Sequence, residues 1–163
     1  MSNQCSSLLP SSLRTPDGGE VGKRILIVDD GEEVRQVMRA VFEGRTGYEV
    51  CGEASNGAEA VQKALALKPD LMLLDVAMPL LNGVEVASVL AGSMPEMPIV
   101  LYTMYNELLG LSLASAVGAK AVISKADGIN KLIECVQGLL EPKVEATGAA
   151  SGVQPSNPSA PLK

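Results

Sequence analysis

Residues 71–80 read LMLLDVAMPL, an apolar run interrupted by a single carboxylate, Asp75. A short and continuous run of this kind predicts a strand that is buried on both faces of a parallel sheet. Moving a lone charge out of water is costly unless the charge is paired. We therefore expect Asp75 at the end of the strand, with a partner that comes from elsewhere in the chain.

Four other short apolar runs accompany this one: Ile25–Val28, Tyr48–Cys51, Ile99–Tyr102 and Ala121–Ser124. Segments with helical periodicity separate them. The first of these has apolar residues at i, i+3, i+4, i+7 and i+8, namely Val34, Val37, Met38, Val41 and Phe42. The second helix is predicted from Gly57 to near Lys68, with an N-cap at Asn56. Three more helices are predicted at about Val84–Leu90, about 105–116 and Ile129–Leu140. The alternation predicts an α/β fold, a doubly wound (βα)5 five-stranded parallel sheet with helices on both faces.

The composition is that of a soluble globular protein, and it excludes several classes of function. Of 163 residues, 47% are hydrophobic and 20% are charged, and the net charge of -6 does not favour nucleic acid or an anionic membrane. The absence of histidine excludes histidine-based catalysis and metal sites, and it means that the chain cannot supply a phosphohistidine of its own. No apolar run is long enough to span a membrane. Three scattered cysteines, Cys5, Cys51 and Cys135, are typical of reduced thiols, so we expect a cytoplasmic location.

One folded domain is predicted, between two tails. Residues 1–22 and 142–163 are rich in Ser, Pro and Gly and have little to bury. We expect a disordered N-terminal tail and a flexible C-terminal tail around a domain at residues 23–141.

Polar side chains follow four of the five predicted strands. Asp29 and Asp30 follow the first strand, Asp75 the third, Thr103 the fourth and Lys125 the fifth. In an open parallel sheet, ligands bind in the crevice outside the carboxyl ends of the strands. We therefore expect these five side chains to meet in one crevice.

Three carboxylates in one crevice repel one another. At a separation of about 5 Å and an effective dielectric near 20, each pair costs about 3 kcal/mol. A divalent cation with oxygen ligands relieves this repulsion, and Mg²⁺ suits carboxylates that share it with a phosphate. A hydroxyl and an ammonium, from Thr103 and Lys125, would complete a site for a phosphoryl group.

These residues resemble those of the receiver domain of bacterial two-component response regulators. The resemblance covers about residues 23–141 and is carried by ILIVDD (25–30), LMLLDVAMP (71–79) with NGVEV (82–86), IVLYT (99–103) and GAKAVISK (118–125). It implies a flavodoxin-like fold and a stand-alone signalling module rather than an enzyme.

The resemblance also implies a role for each site residue. Asp75 would accept a phosphoryl group from a partner histidine kinase or phosphotransfer protein. Mg²⁺ would be bound by Asp30, Asp75 and the backbone carbonyl of Ala77, with Asp29 acting through water. The remaining two residues, Thr103 and Lys125, would contact the phosphoryl group, and the switched surface would bind a downstream protein target.

Four positions depart from the pattern of that family. Val122 stands where an aromatic residue commonly turns inward on activation, and Ala126 where proline is common. Two others bear on the lifetime of the phosphorylated form. Ala77 offers no polar side chain to orient a water, and Met104 is larger than the residue often found at its position. We therefore expect the phosphorylated form to hydrolyse slowly. The hydroxyl of Tyr105 is an alternative group that could position the water.

Three other interpretations stay open at this stage. A degenerate receiver would act as a phosphorylation-independent adaptor, an interpretation that Val122 favours. A phosphatase of the haloacid dehalogenase type would carry its nucleophile after the first strand, in a DxD arrangement, where this chain has DDG. A flavodoxin-like cofactor binder would need a phosphate-cradling loop in place of the acidic DDGEEVR. The helix predicted at 105–116 is apolar on more than one face, which indicates either ordinary mild exposure of small residues or a homodimer or partner surface formed with the last strand and helix.

Overall fold

The computed structural model describes residues 22–104, residue 112 and residues 114–141. The predicted tails lie outside the described residues except for Gly22, and so does most of the helix predicted at 105–116.

Five parallel strands form one sheet, as predicted. They are β1 (Arg24–Val28), β2 (Glu49–Ala54), β3 (Leu71–Leu74), β4 (Ile99–Thr103) and β5 (Ala121–Ser124). Their order across the sheet is β2-β1-β3-β4-β5, and every neighbouring pair is parallel. In a doubly wound sheet of this order, the chain turns to opposite sides at β1 and β3, which opens a crevice at their carboxyl ends.

Helices connect the strands. They are α1 (Glu32–Arg45), α2 (Gly57–Leu67), α3 (Gly83–Ser93), α4, described at residues 114–117, and α5 (Ile129–Leu140), with a 3₁₀ turn at Lys125–Asp127. The predicted cap at Asn56 is confirmed, since its side chain accepts the backbone N–H of Glu59. A capping box between Asn82 and Glu85 starts α3 at Gly83, one residue before the predicted start.

The sheet is buried on both faces, which confirms the interpretation of the continuous apolar runs. Ile25 and Ile27 of β1 pack in a core layer with α1 and α5. Leu26 and Val28, which point to the opposite face, pack in a second layer with α2 and α3. Because β1 and β3 lie inside the sheet and are covered on both sides, alternation of polar and apolar residues is absent from them.

The apolar surface of α1 is narrower than its sequence pattern predicts. Met38 and Phe42 are buried, and Val34 and Val41 pack against them. Val37 belongs to the same spacing pattern, yet 59% of it is exposed. The spacing identified the helix correctly but assigned one residue too many to its buried face.

Among the described helices, none combines the length and the apolar character that crossing a bilayer requires.

Tyr48 ties the start of β2 to the end of α5. The ring is 4% exposed, and the hydroxyl donates a hydrogen bond of 2.8 Å to Glu141 Oε1. Burial, together with the carboxylate of Glu141, raises the pKa of Tyr48 to about 12 from 10.0. A raised pKa means that the neutral phenol stabilises the fold below pH 10, and that this stabilisation is lost as the pH rises through about 12.

We expect Tyr48→Phe to lower the free energy of unfolding by about 1 kcal/mol at pH 7, because it removes a partly buried hydrogen bond to a charged group. Above pH 10 the wild type should lose stability more steeply than the variant, so that the two urea-unfolding curves, followed by circular dichroism, converge. Parallel loss of stability in both proteins up to pH 12 would contradict the assignment.

Candidate functional site

Backbone hydrogen bonds bring the acidic residues to one edge of the sheet. Asp29 directly follows β1, and its N–H donates to the carbonyl of Ala54 at 3.1 Å. Asp75 directly follows β3, and its N–H donates to the carbonyl of Val28 at 2.9 Å. The ladder thus continues for one residue past each strand, and it fixes both aspartates at the carboxyl ends of neighbouring strands.

The three carboxylates converge as predicted. One oxygen each from Asp29, Asp30 and Asp75 lies within 4.8 Å of the others. Asp29 and Asp75 are 4% and 5% exposed, whereas Asp30 is exposed. Two of the three charges are therefore held out of bulk water, where their repulsion is weakly screened.

Lys125 is the partner of Asp75 that the sequence required. Its Nζ lies 3.3 Å from Asp75 Oδ2 and 2.6 Å from Asp29 Oδ2, and its side chain is 16% exposed. The ammonium also lies 5.7 Å from the ring centroid of Tyr102, within the range of a cation–π interaction. One half-buried cation thus bridges the residues that follow β1 and β3.

The surroundings raise the pKa of both Asp75 and Lys125, but for different reasons. Burial raises the pKa of Asp75; Lys125 opposes this shift and the charge of Asp29 adds to it. Burial alone would lower the pKa of Lys125, but its hydrogen bond with Asp29 and the neighbouring carboxylates outweigh that effect and raise it. The lysine therefore stays charged at neutral pH, and an ionised Asp75 carries an uncompensated cost.

Thr103 and Ala77 lie at the same edge. Thr103 is the last residue of β4, is 1% exposed, and is in register with Ser124, the residue before Lys125. Ala77 is exposed, and its N–H donates to Asp75 Oδ1 at 3.3 Å. The contacts with the phosphoryl group and the metal that we predicted for these two residues stay predictions.

The positions that depart from the family pattern are also placed. Val122 on β5 is half-buried and packs against the core layer of α2 and α3. The side chain of Met104, directly after β4, is 74% exposed.

Gly83, the first residue of α3, allows this helix to approach Asp75 closely. A Cβ on Gly83 would lie 2.2 Å from the carbonyl oxygen of Asp75 and 2.9 Å from Cα of Val76. Because no side chain fits there, Gly83 lets the first turn of α3 pack directly on the loop that carries Asp75. The sequence shows Gly83 only as part of NGVEV (82–86), a pattern that does not indicate this contact.

An arginine that no sequence pattern indicated also lies at the site. Arg35 on α1 donates from Nη1 to the backbone carbonyl of Asp29 at 2.7 Å and from Nε to Glu53 Oε2 at 3.2 Å. Its signal in the sequence was weak, since an arginine on an amphipathic helix is usually solvated. Glu53 gave no clue either, because the predicted strand ended at Cys51, whereas β2 runs from Glu49 to Ala54.

The donor set fits a hard divalent cation. All three clustered side chains are carboxylates, which are the ligands that Mg²⁺ and Ca²⁺ take in proteins, and the one cation of the cluster does not balance three negative charges. Asp29, Asp30 and Asp75 would hold such an ion, which would neutralise charge on the carboxylates and on a phosphate bound beside them.

Comparison with known proteins identifies the family. Residues 25–137 match the model of the response regulator receiver domain. The chemotaxis protein CheY of Thermotoga maritima is 34% identical over 71% of this chain and 96% of its own length. A protein-glutamate methylesterase/protein-glutamine glutaminase of Geobacter sulfurreducens is 38% identical over 64% of this chain, which spans only 26% of that protein. The crystal structure of a CheY-like receiver domain protein from Methanospirillum hungatei superposes with a TM-score of 0.68 at 29% identity, covering 73% of this chain and 94% of that one.

The chain belongs to the response regulator receiver domain family. It is therefore a module of two-component signalling, a family in which phosphorylation and partner contact are general. The family match confirms the resemblance drawn from the strand-end residues and decides against the phosphatase and flavodoxin-like interpretations.

We expect Asp75→Asn to raise the free energy of unfolding by about 1 kcal/mol in EDTA, because it removes a buried charge that two carboxylates repel. Mg²⁺ should stabilise the wild type more than the variant and so reduce or reverse the difference. Urea unfolding in both buffers measures the effect. A variant less stable than the wild type in EDTA would show that repulsion is not the dominant force at Asp75.

Proposed function

We propose that the chain is a phosphorelay receiver in which Asp75 accepts a phosphoryl group in a magnesium-dependent reaction. The observation that carries this proposal is a cluster of three carboxylates at the carboxyl ends of β1 and β3, two of which contact the half-buried Lys125. Bound Mg²⁺ would supply charge neutralisation for the carboxylates and for the incoming phosphate.

Each residue of the site has a role in this proposal. A carboxylate oxygen of Asp75 attacks the phosphorus of a phosphohistidine on a partner protein. The new O–P bond forms as the N–P bond breaks, and the leaving imidazole nitrogen takes up a proton from solvent. Lys125, which already forms a salt bridge with Asp75, pairs with one phosphoryl oxygen. Thr103 donates a hydrogen bond to a second phosphoryl oxygen. The metal would be bound by Asp30, Asp75 and the carbonyl of Ala77, with Asp29 acting through water.

The partners follow from this chemistry. The donor is a histidine kinase or phosphotransfer protein, which this histidine-free chain needs from outside, and the output is contact with a downstream protein. The only reactions in this proposal are the chain's own phosphorylation and dephosphorylation. We also propose a cytoplasmic location, which agrees with the half-buried free thiols of Cys51 and Cys135. The homodimer through residues 105–116 and the last helix stays a prediction.

Intact mass after incubation with a small phosphodonor tests the proposal. We expect the wild type to gain one phosphoryl group in Mg²⁺ and none in EDTA, because the carboxylates need their repulsion neutralised before an anion can approach. Asp75→Asn should gain none in either buffer. A folded wild type that gains no mass would favour the adaptor interpretation instead.

We further propose that the phosphorylated form is long-lived. Ala77 is exposed beside Asp75, its N–H reaches Asp75 Oδ1, and its methyl side chain cannot orient an attacking water. The switch would proceed without rotation of a ring, since Val122 occupies the position where receivers commonly carry an aromatic residue.

We expect Ala77→Asn to shorten the half-life of the phosphorylated form by about tenfold, because an amide there can hold a water against the phosphorus. Ala77→Val, which changes size without adding a polar group, is the matched control and should keep the wild-type half-life within about twofold. Loss of the mass gain with time measures both. Equal half-lives in the wild type and Ala77→Asn would show that the side chain at position 77 does not control hydrolysis of the phosphorylated form.

A further inference from the structure

The backbone carbonyl of Asp29 has a partner that the proposed mechanism does not use. Arg35 Nη1 donates to this carbonyl at 2.7 Å, from a side chain that is 14% exposed. A short hydrogen bond from a charged donor is among the stronger kinds in proteins. The carbonyl belongs to the peptide that joins Asp29 to Asp30, so the contact constrains the orientation of both acidic residues.

Arg35 is itself fixed by a carboxylate on the edge strand. Its Nε donates to Glu53 Oε2 at 3.2 Å, and the other carboxylate oxygen accepts from Arg39 Nε at 2.6 Å. Burial alone would raise the pKa of Glu53, but the hydrogen bonds from Arg39 and Arg35 lower it, so Glu53 is ionised at neutral pH. The planar guanidinium of Arg35 therefore spans two fixed points, Glu53 on β2 and the Asp29 carbonyl after β1.

We infer that Arg35 is a positioning residue for the metal site and acts through the Asp29 carbonyl. The carboxylates of Asp29 and Asp30 lie within 4.8 Å of Asp75, and repulsion favours rotation of the Asp29–Asp30 peptide to separate them. The hydrogen bond from Arg35 opposes that rotation and keeps the carboxylates converged before a cation binds. This inference rests on the magnesium site of the proposed function.

The affinity of the full chain for Mg²⁺, measured by isothermal titration calorimetry, tests the inference. We expect Arg35→Gln to raise the Kd about tenfold, as loss of a residue that orients a metal ligand does. Arg39→Gln is the matched control. It removes the same charge from the same Glu53, one helical turn along α1, but the hydrogen bonds of Arg39 go to Glu53, Glu43 and the carbonyl of Val50. Its Kd should stay within about twofold of the wild type.

A second readout needs no metal. The N–H of Asp30 shares a peptide group with the Asp29 carbonyl, so its amide resonance should move in Arg35→Gln and keep the wild-type position in Arg39→Gln. Arg35→Lys retains a charged donor but loses the planar guanidinium that contacts both Glu53 and the Asp29 carbonyl. Its Mg²⁺ affinity should therefore lie between that of the wild type and that of Arg35→Gln. If Arg35→Gln does not fold, Glu53→Gln replaces it, since loss of the second fixed point should weaken Mg²⁺ binding in the same direction.

The outcomes separate this inference from the proposed function. Equal Kd values for Arg35→Gln and Arg39→Gln, with a wild type that binds Mg²⁺ and accepts phosphoryl, would overturn the inference alone. A wild type that binds Mg²⁺ but accepts no phosphoryl would overturn the proposed function, while a weaker Arg35→Gln would still support the inference. A wild type that does not bind Mg²⁺ would overturn both.

Discussion

Repulsion among three carboxylates is the constraint on which the site depends. Oxygens of Asp29, Asp30 and Asp75 lie within 4.8 Å of one another, and each pair costs about 3 kcal/mol at an effective dielectric near 20. The half-buried Lys125 contacts two of them, Asp29 and Asp75, and its single positive charge does not balance all three carboxylates. The cluster therefore keeps negative charge that a divalent cation would neutralise. The same charge disfavours the approach of a phosphate, so the proposed function requires a bound metal before an anion is accepted.

The scaffold maintains this arrangement through groups that lie outside the cluster. Backbone hydrogen bonds from Asp29 and Asp75 extend the ladder beyond β1 and β3 and fix both residues at the sheet edge. Gly83 lets the start of α3 pack on the carbonyl of Asp75, where a Cβ would lie only 2.2 Å from that oxygen. Arg35 holds the carbonyl of Asp29 from the other side. Helices on both faces of the sheet thus support the acidic residues by contact with their backbone, and this leaves the carboxylates available for ligands.

The sequence predicted the fold and the membership of the acidic cluster, because both depend on local signals. Continuous apolar runs such as 71–74 indicate buried parallel strands, and a polar residue directly after such a run must lie at the edge of the sheet. What the sequence did not predict depends on contacts between distant segments. Arg35 was indistinguishable from a solvated helix residue until β2 brought Glu53 beside it, and Gly83 was indistinguishable from an ordinary turn glycine. Val37 fitted the helical spacing but is 59% exposed, because the width of a buried helix face is set by its neighbours.

Formation of a beryllofluoride adduct tests the central claim most directly, because this anion mimics a phosphoryl group on a carboxylate and needs no partner kinase. We would follow the ¹⁹F NMR spectrum of the wild type with beryllium and fluoride, first in Mg²⁺ and then in EDTA, beside Asp75→Asn. The account predicts bound fluorine resonances in the wild type only with Mg²⁺, and none in the variant. Equal resonances in EDTA, or in Asp75→Asn, would show that the acidic cluster at the ends of β1 and β3 is not a magnesium-dependent acceptor site.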